Sequence, residues 1–81
     1  MKLLFSPRFL KQYSDAPMQV QKAFDKQAKL LAGNLLHPSL HSKKFDGARD
    51  IWQARVTRDW RFYFTIKGDT YRLLTIIKHL K

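Results

Sequence analysis

Arg55, Arg61 and His79 are the side chains of this 81-residue sequence best suited to chemistry on a phosphate. Arg55 falls in Ile51 to Thr57, where Trp52, Ala54 and Val56 alternate with Gln53, Arg55 and Thr57. Arg61 falls in Trp60 to Ile66, where Trp60, Phe62, Phe64 and Ile66 alternate with Arg61, Tyr63 and Thr65. A period of two marks a strand with one buried face, so Gln53, Arg55, Arg61 and Tyr63 are expected together on the free face of a sheet. Two guanidinium groups on adjacent strands repel each other. Either an anion sits between them, or they are exposed sheet residues paired with Asp50 or Asp59. Arginine holds its charge at any working pH and its planar fork matches phosphate oxygens. Pointing away from the apolar face, Arg61 is expected to be dispensable for folding.

His79 follows the last apolar run. An imidazole, ordinarily titrating near pH 6.5, can both take and give a proton, and phosphodiester transesterification needs two such transfers. A lone histidine in such a place is more often incidental. Tyr63 is a stacking platform for a base or ordinary sheet packing. Lys43 and Lys44 contact a nucleic-acid backbone or form a solvated loop pair, and Lys78 is a further candidate RNA contact beside His79. His37 and His41 are four apart but flank Pro38 in a loop, without a third ligand nearby, so no metal site is assigned.

The elements that position these residues follow from periodicity. Leu3 to Phe5 is a short strand running into Ser6-Pro7, a helix cap and a suitable first helical residue. Phe9, Leu10 and Tyr13 share a face of the first helix, which Asp15-Ala16-Pro17 interrupts. From Met18 to Leu31, Val20, Ala23, Phe24, Ala28 and Leu31 recur at spacings of three and four, and Gly33-Asn34 ends this second helix. Residues 34–50 read as a loop, with a short strand possible at Lys44-Phe45. Gly68-Asp69 is a two-residue hairpin turn, and Thr70 to Lys78 forms the last strand. The fold class is α+β: an N-terminal strand and a helical hairpin packed on a twisted, mainly antiparallel sheet of four to five strands. Residues 1–81 are read as one domain.

Composition narrows the function. Sixteen Lys and Arg against six acids give a formal charge of +10, with no Cys, and every acid is Asp. Chemistries built on paired Glu or on Cys ligands are excluded. Residues 1–40 carry six Lys/Arg and two Asp, residues 41–81 ten and four, so the charge belongs to the folded body and not to a tail. It suits a nucleic-acid surface, or else a solvated face or the docking site of an acidic protein. No apolar run approaches a membrane span, and Met1 to Phe5 is too short for a signal core, so a cytoplasmic location is expected.

The stretch Lys43-Lys44-Phe45-Asp46-Gly47, then Ile51-Trp52-Gln53-Ala54-Arg55-Val56, Trp60-Arg61-Phe62-Tyr63-Phe64 and Ile76-Ile77-Lys78-His79 resembles the RelE/ParE toxin superfamily. The likeness covers nearly all of the chain. It implies the toxin of a type II toxin–antitoxin pair, acting as a metal-independent endoribonuclease on messenger RNA, in association with the ribosome. Its implied partners are RNA, the ribosome and an acidic antitoxin in a hetero-oligomer, with no membrane and no cofactor. In the nuclease branch Arg55 and Arg61 would hold the phosphate while a 2′-hydroxyl attacks it, and His79 would transfer protons. Lys43, Lys44, Gln53, Tyr63 and Lys78 would bind RNA. Gln53 stands where some of these nucleases carry a second lysine, and no Glu matches the acid that some use as a base. The alternatives on the same scaffold are a ParE-like gyrase inhibitor that is not an enzyme, and a degenerate member that only binds its antitoxin.

Overall fold

Ser6 organises the first crossing of the chain. Its Oγ accepts the Phe9 N–H at 3.0 Å, capping a helix whose first residue is Pro7, and donates to the Leu74 carbonyl at 2.8 Å. The computed structural model describes residues 2–79, ordered as β1 (Lys2–Phe5), α1 (Pro7–Asp15), α2 (Met18–Gly33), a 3₁₀ turn (Pro38–Leu40), β2 (Lys43–Asp46), β3 (Ile51–Arg55), β4 (Trp60–Lys67) and β5 (Thr70–Lys78). The sheet order is β1-β5-β4-β3-β2. The sheet is mixed: β2 to β5 form an antiparallel meander, and β1 pairs with β5 in parallel. No helix among the described residues is long and apolar enough to cross a membrane.

The two helices cover one face. Pro17 offers α2 no side-chain cap, but Gln21 Nε2 reaches back to the Tyr13 carbonyl at 2.8 Å, which also accepts the Ala16 N–H at 3.1 Å, and so ties α2 to the end of α1. Phe9, Phe24, Phe62, Phe64 and Tyr71 form a continuous aromatic seam between helices and sheet. Phe24 meets Phe62 edge-on at 5.2 Å, and Phe64 meets Tyr71 edge-on at 5.5 Å. Ala54, Leu31, Leu40, Leu73 and Ile76 fill in around it. Leu10, expected on the buried face of α1, is 54% exposed, because that face centres on Phe9 and Leu10 sits about 100° further round.

Strand β5 contains an irregularity with large consequences. Tyr63 pairs with Thr75 but Phe64 pairs with Leu73, leaving Leu74 as an extra residue. Such a bulge shifts the in–out alternation by one. Before it Tyr71 and Leu73 face the core, and after it Ile76 does. Helix α1 supplies partners here: beside the Ser6 bond to the Leu74 carbonyl, Gln12 Oε1 accepts the Ile76 N–H at 3.0 Å and the Thr75 hydroxyl at 2.6 Å. Gly68-Asp69 closes the β4–β5 hairpin as expected, with Gly68 at φ +59°, a conformation that suits glycine. Strand β3 ends at Arg55, two residues short of the expected limit, where the chain turns through 56–59 and the Val56 N–H bonds the Trp60 carbonyl at 3.0 Å.

Candidate functional site

Strands β2, β3 and β4 and the residue after β5 bring five of the eight predicted residues, Lys43, Gln53, Arg55, Arg61 and His79, to one cavity. Arg55 and Arg61 occupy directly paired positions on β3 and β4, and Lys43 pairs with Gln53 across β2 and β3. Because of the bulge, Trp60 and Lys78 pair on the helix side while Arg61 and Ile77 pair on the other, and His79 then joins the two arginines. The resulting cavity, of about 580 Å³, is lined by His41, Ser42, Lys43, Phe45, Gln53, Arg55, Arg61 and His79. Among the described residues no carboxylate lines it. Among the described residues the ion pairs are Lys11–Asp15, Lys44–Asp50 and Arg49–Asp46, so neither Asp50 nor Asp59 pairs with Arg55 or Arg61.

The two arginines are held differently. The Arg55 Nε is buried and makes no hydrogen bond among the described residues. A buried donor left without an acceptor costs about 1–3 kcal/mol, and an anion in the cavity would remove that cost. Arg61 Nη1 donates to the carbonyls of Thr57, Arg58 and Trp60 at 2.7, 3.0 and 2.9 Å. Arg61 therefore fastens the β3–β4 turn as well as charging the cavity, a contact that its place on the free face did not suggest. The same turn anchors His79, whose backbone N–H bonds the Asp59 carbonyl at 2.6 Å while its side chain stays exposed.

Three expected contacts lie elsewhere. Lys44 pairs in register with Trp52, on the helix side of the sheet, where its ammonium sits 5.6 Å from the indole and bonds Asp50 at 2.7 Å. Lys78 pairs with Trp60 and lines a separate depression with Gln12 and Asp15, because the bulge turned it to the helix side. Tyr63 lies on the cavity face but outside the cavity: its hydroxyl accepts the Gln53 Nε2 hydrogen at 2.8 Å, and the edge of Phe45 meets its ring at 4.9 Å. These contacts leave Tyr63 holding Gln53 in place, and they explain why Gln53, expected on an open face, is buried.

His41, Ser42 and Phe45 were not selected from the sequence as parts of this site. His41 sits at the end of the 3₁₀ turn in left-handed conformation, φ 48° and ψ 42°. Ser42 Oγ donates to the Leu35 carbonyl at 2.9 Å, and the buried Gln27 of α2 donates through Nε2 to Ser39 O at 3.0 Å and Arg55 O at 2.9 Å. Gln27 thus ties the His41 loop to the strand that carries Arg55. The sequence signal for it was a polar residue on the buried stripe of α2, between Phe24 and Leu31. Among the described residues no cluster of three or more His, Cys, Asp or Glu could hold a metal ion.

No protein-family sequence model matches the chain, and no curated protein matches it by sequence. Solved structures do match in shape. A YoeB/ParE toxin from Agrobacterium tumefaciens superposes with a TM-score of 0.82 at 14% identity, covering 99% of this chain and 100% of that one. The YoeB dimer from Staphylococcus aureus gives 0.81 at 15% identity, covering 99% and 98%. The toxin fold in the RelB–RelE antitoxin–toxin complex from Methanococcus jannaschii gives 0.77 at 21% identity, covering 93% and 88%. Identities this low establish shape and nothing more, but the shape spans both chains nearly end to end. The protein has the fold of the RelE and YoeB toxins.

Proposed function

We propose that the protein is the toxin of a type II toxin–antitoxin pair and that it cleaves messenger RNA on the ribosome, in the cytoplasm, by attack of a 2′-hydroxyl on the adjacent phosphate. The observation that carries this reading is the cavity in which Arg55, Arg61 and His79 converge, with no partner for the Arg55 Nε and no carboxylate among the described residues. In that arrangement the phosphate lies against Arg55, whose buried N–H gains its missing acceptor. Arg61 adds charge to the same phosphate as its oxygens become more negative in the transition state, where preorganised donors act most strongly. His79 transfers a proton, and Lys43 and Gln53 hold the flanking backbone. Such a step needs no metal.

An acidic antitoxin completes the reading. The neighbour from Methanococcus jannaschii is a complex with its antitoxin. On this chain Leu4, Phe5 and Leu10 expose apolar surface along β1 and α1, and the body carries a +10 charge. A partner helix or strand that buries those side chains and extends carboxylates toward the cavity would silence the toxin. The test is a short pulse of expression with mapping of messenger-RNA ends and of plasmid supercoiling in the same cells. New RNA ends, suppressed by co-expression of the adjacent small reading frame, are expected. Intact messages with relaxed plasmid would identify a gyrase inhibitor instead.

A further inference from the structure

We infer that His41 shares the acid–base work of the cavity with His79, each imidazole handling one of the two proton transfers. The inference rests on the nuclease reading above. In transesterification the O2′–P bond forms as the 2′-hydroxyl gives its proton to one group, and the P–O5′ bond breaks as the leaving oxygen takes a proton from another. The products are a 2′,3′-cyclic phosphate and a free 5′-hydroxyl, and no other reactant is consumed. A single histidine would have to serve both oxygens, which lie on opposite sides of the phosphorus in an in-line displacement. The cavity holds a second one: His41 comes from the 3₁₀ loop beside β2, and His79 from the end of β5 beyond β4. Arg55 and Arg61, on the two strands between, are placed to hold the phosphate.

The His41 loop is built to hold that position. A non-glycine residue at φ 48° is sparsely populated and persists where its surroundings fix it. Here the fixing groups are specific. The His37 Nδ1 accepts the Ser39 N–H at 3.2 Å, the His41 N–H bonds the Pro38 carbonyl at 3.3 Å, and Ser42 bonds Leu35. Gln27, 6% exposed, uses both amide hydrogens to lock Ser39 to Arg55. The imidazole is free to act because the ring that serves the turn is that of His37, not His41. The charged and titratable groups sharing the cavity with it are Lys43 of β2, Arg55 of β3, Arg61 of β4 and His79.

The test uses His41→Asn, since asparagine accepts left-handed backbone conformation but cannot cycle a proton. Single-turnover cleavage of messenger RNA programmed on ribosomes is followed from pH 5 to 9 for the wild type, His41→Asn, His79→Gln and the double variant, alongside RNA affinity and a thermal melt. The wild type should give a bell-shaped profile, and each single variant should lose roughly 10²-fold or more in rate and one limb of the bell, a different limb in each, with affinity retained. The double variant should fall little below the worse single one. His41→Asn cleaving within about threefold of wild type with both limbs intact would overturn the inference while leaving the nuclease reading in place. Loss of rate with the bell unchanged would also overturn it, by making His41 structural. A wild type that cuts no RNA would remove the nuclease reading itself.

Discussion

The two faces of the sheet are made from the same strands by opposite means. On the helix side, Ala54, Phe62, Phe64, Leu73 and Ile76 are sealed in a continuous apolar layer. On the other side, Arg55, Arg61 and His79 stand round an open cavity among like charges, with one buried donor that finds no partner among the described residues. Because neighbours along a strand point to opposite faces, each cavity residue of β3 and β4 sits next to an anchor: Arg55 between Ala54 and Val56, Arg61 between Trp60 and Phe62. The repulsive face is thus held by the cohesive one, so the two should fail separately when struck separately.

The sharpest separation is expected at His79. Replacing it by Gln should lower cleavage of ribosome-bound messenger RNA by about 10²- to 10⁴-fold while the thermal melt stays within error, because its side chain is exposed and only its backbone N–H is structural. Phe62→Ala should do the reverse in kind, removing about 3–5 kcal/mol of stability in a denaturant titration, with activity lost only in proportion to the unfolded fraction. Gln27→Leu joins the two faces. It strands the Ser39 and Arg55 carbonyls and should cost about 1–3 kcal/mol, and it should also slow cleavage at temperatures where the variant is fully folded. If rate and stability fall together only through unfolding, the clamp has no part in placing the site.

Smaller effects sharpen the electrostatic half. RNA affinity should fall with salt with a log–log slope of about −0.7 per phosphate neutralised, and Arg55→Ala should make that slope shallower by about one such step. Lys44→Ala should leave it unchanged, because Lys44 faces Trp52. Asp46 should show the least. The hydrogen bond from Arg49, with the Arg49 and Ala48 backbone N–H groups, holds its carboxyl below the ordinary carboxylate value. A lowered folded-state pKa contributes stability that is present above the ordinary value near 3.8 and is lost as pH falls through the lower folded one. Melts of the wild type and Asp46→Asn should therefore converge in acid and separate slightly near neutrality.

What could be read from residues alone was whatever depends on local period. The alternation of Trp60 to Ile66 against Arg61, Tyr63 and Thr65 placed Arg61 on the free face, and the three-and-four spacing of α2 gave its buried stripe. What could not be read depends on register. Lys44 and Lys78 looked like members of the cationic face, but the pairing of Lys44 with Trp52 and the bulge at Leu74 send both to the helix side. No residue type announces that bulge, since its spare groups are satisfied by Ser6 and Gln12, more than sixty positions away. The second duty of Arg61 was hidden for a similar reason. A side chain that bonds three backbone carbonyls of its own turn has no signature in composition or spacing.

The parallel pairing of β1 with β5 bears on how the chain is made. Lys2 to Phe5 find their partners at Thr70 to Leu73, the most distant pairing in the sheet, and the cap of α1 waits for the Leu74 carbonyl. During synthesis the first strand and the first helix therefore emerge long before anything exists for them to dock on. The hairpins of β3, β4 and β5 close locally and quickly, whereas the edge strand must pay the loop entropy of nearly the whole chain. Folding is thus gated on the last strand, which is also the strand that delivers His79. A nascent chain whose β5 has not yet docked carries most of the protein's charge but not its cavity, so the site comes into being only once that strand is in place.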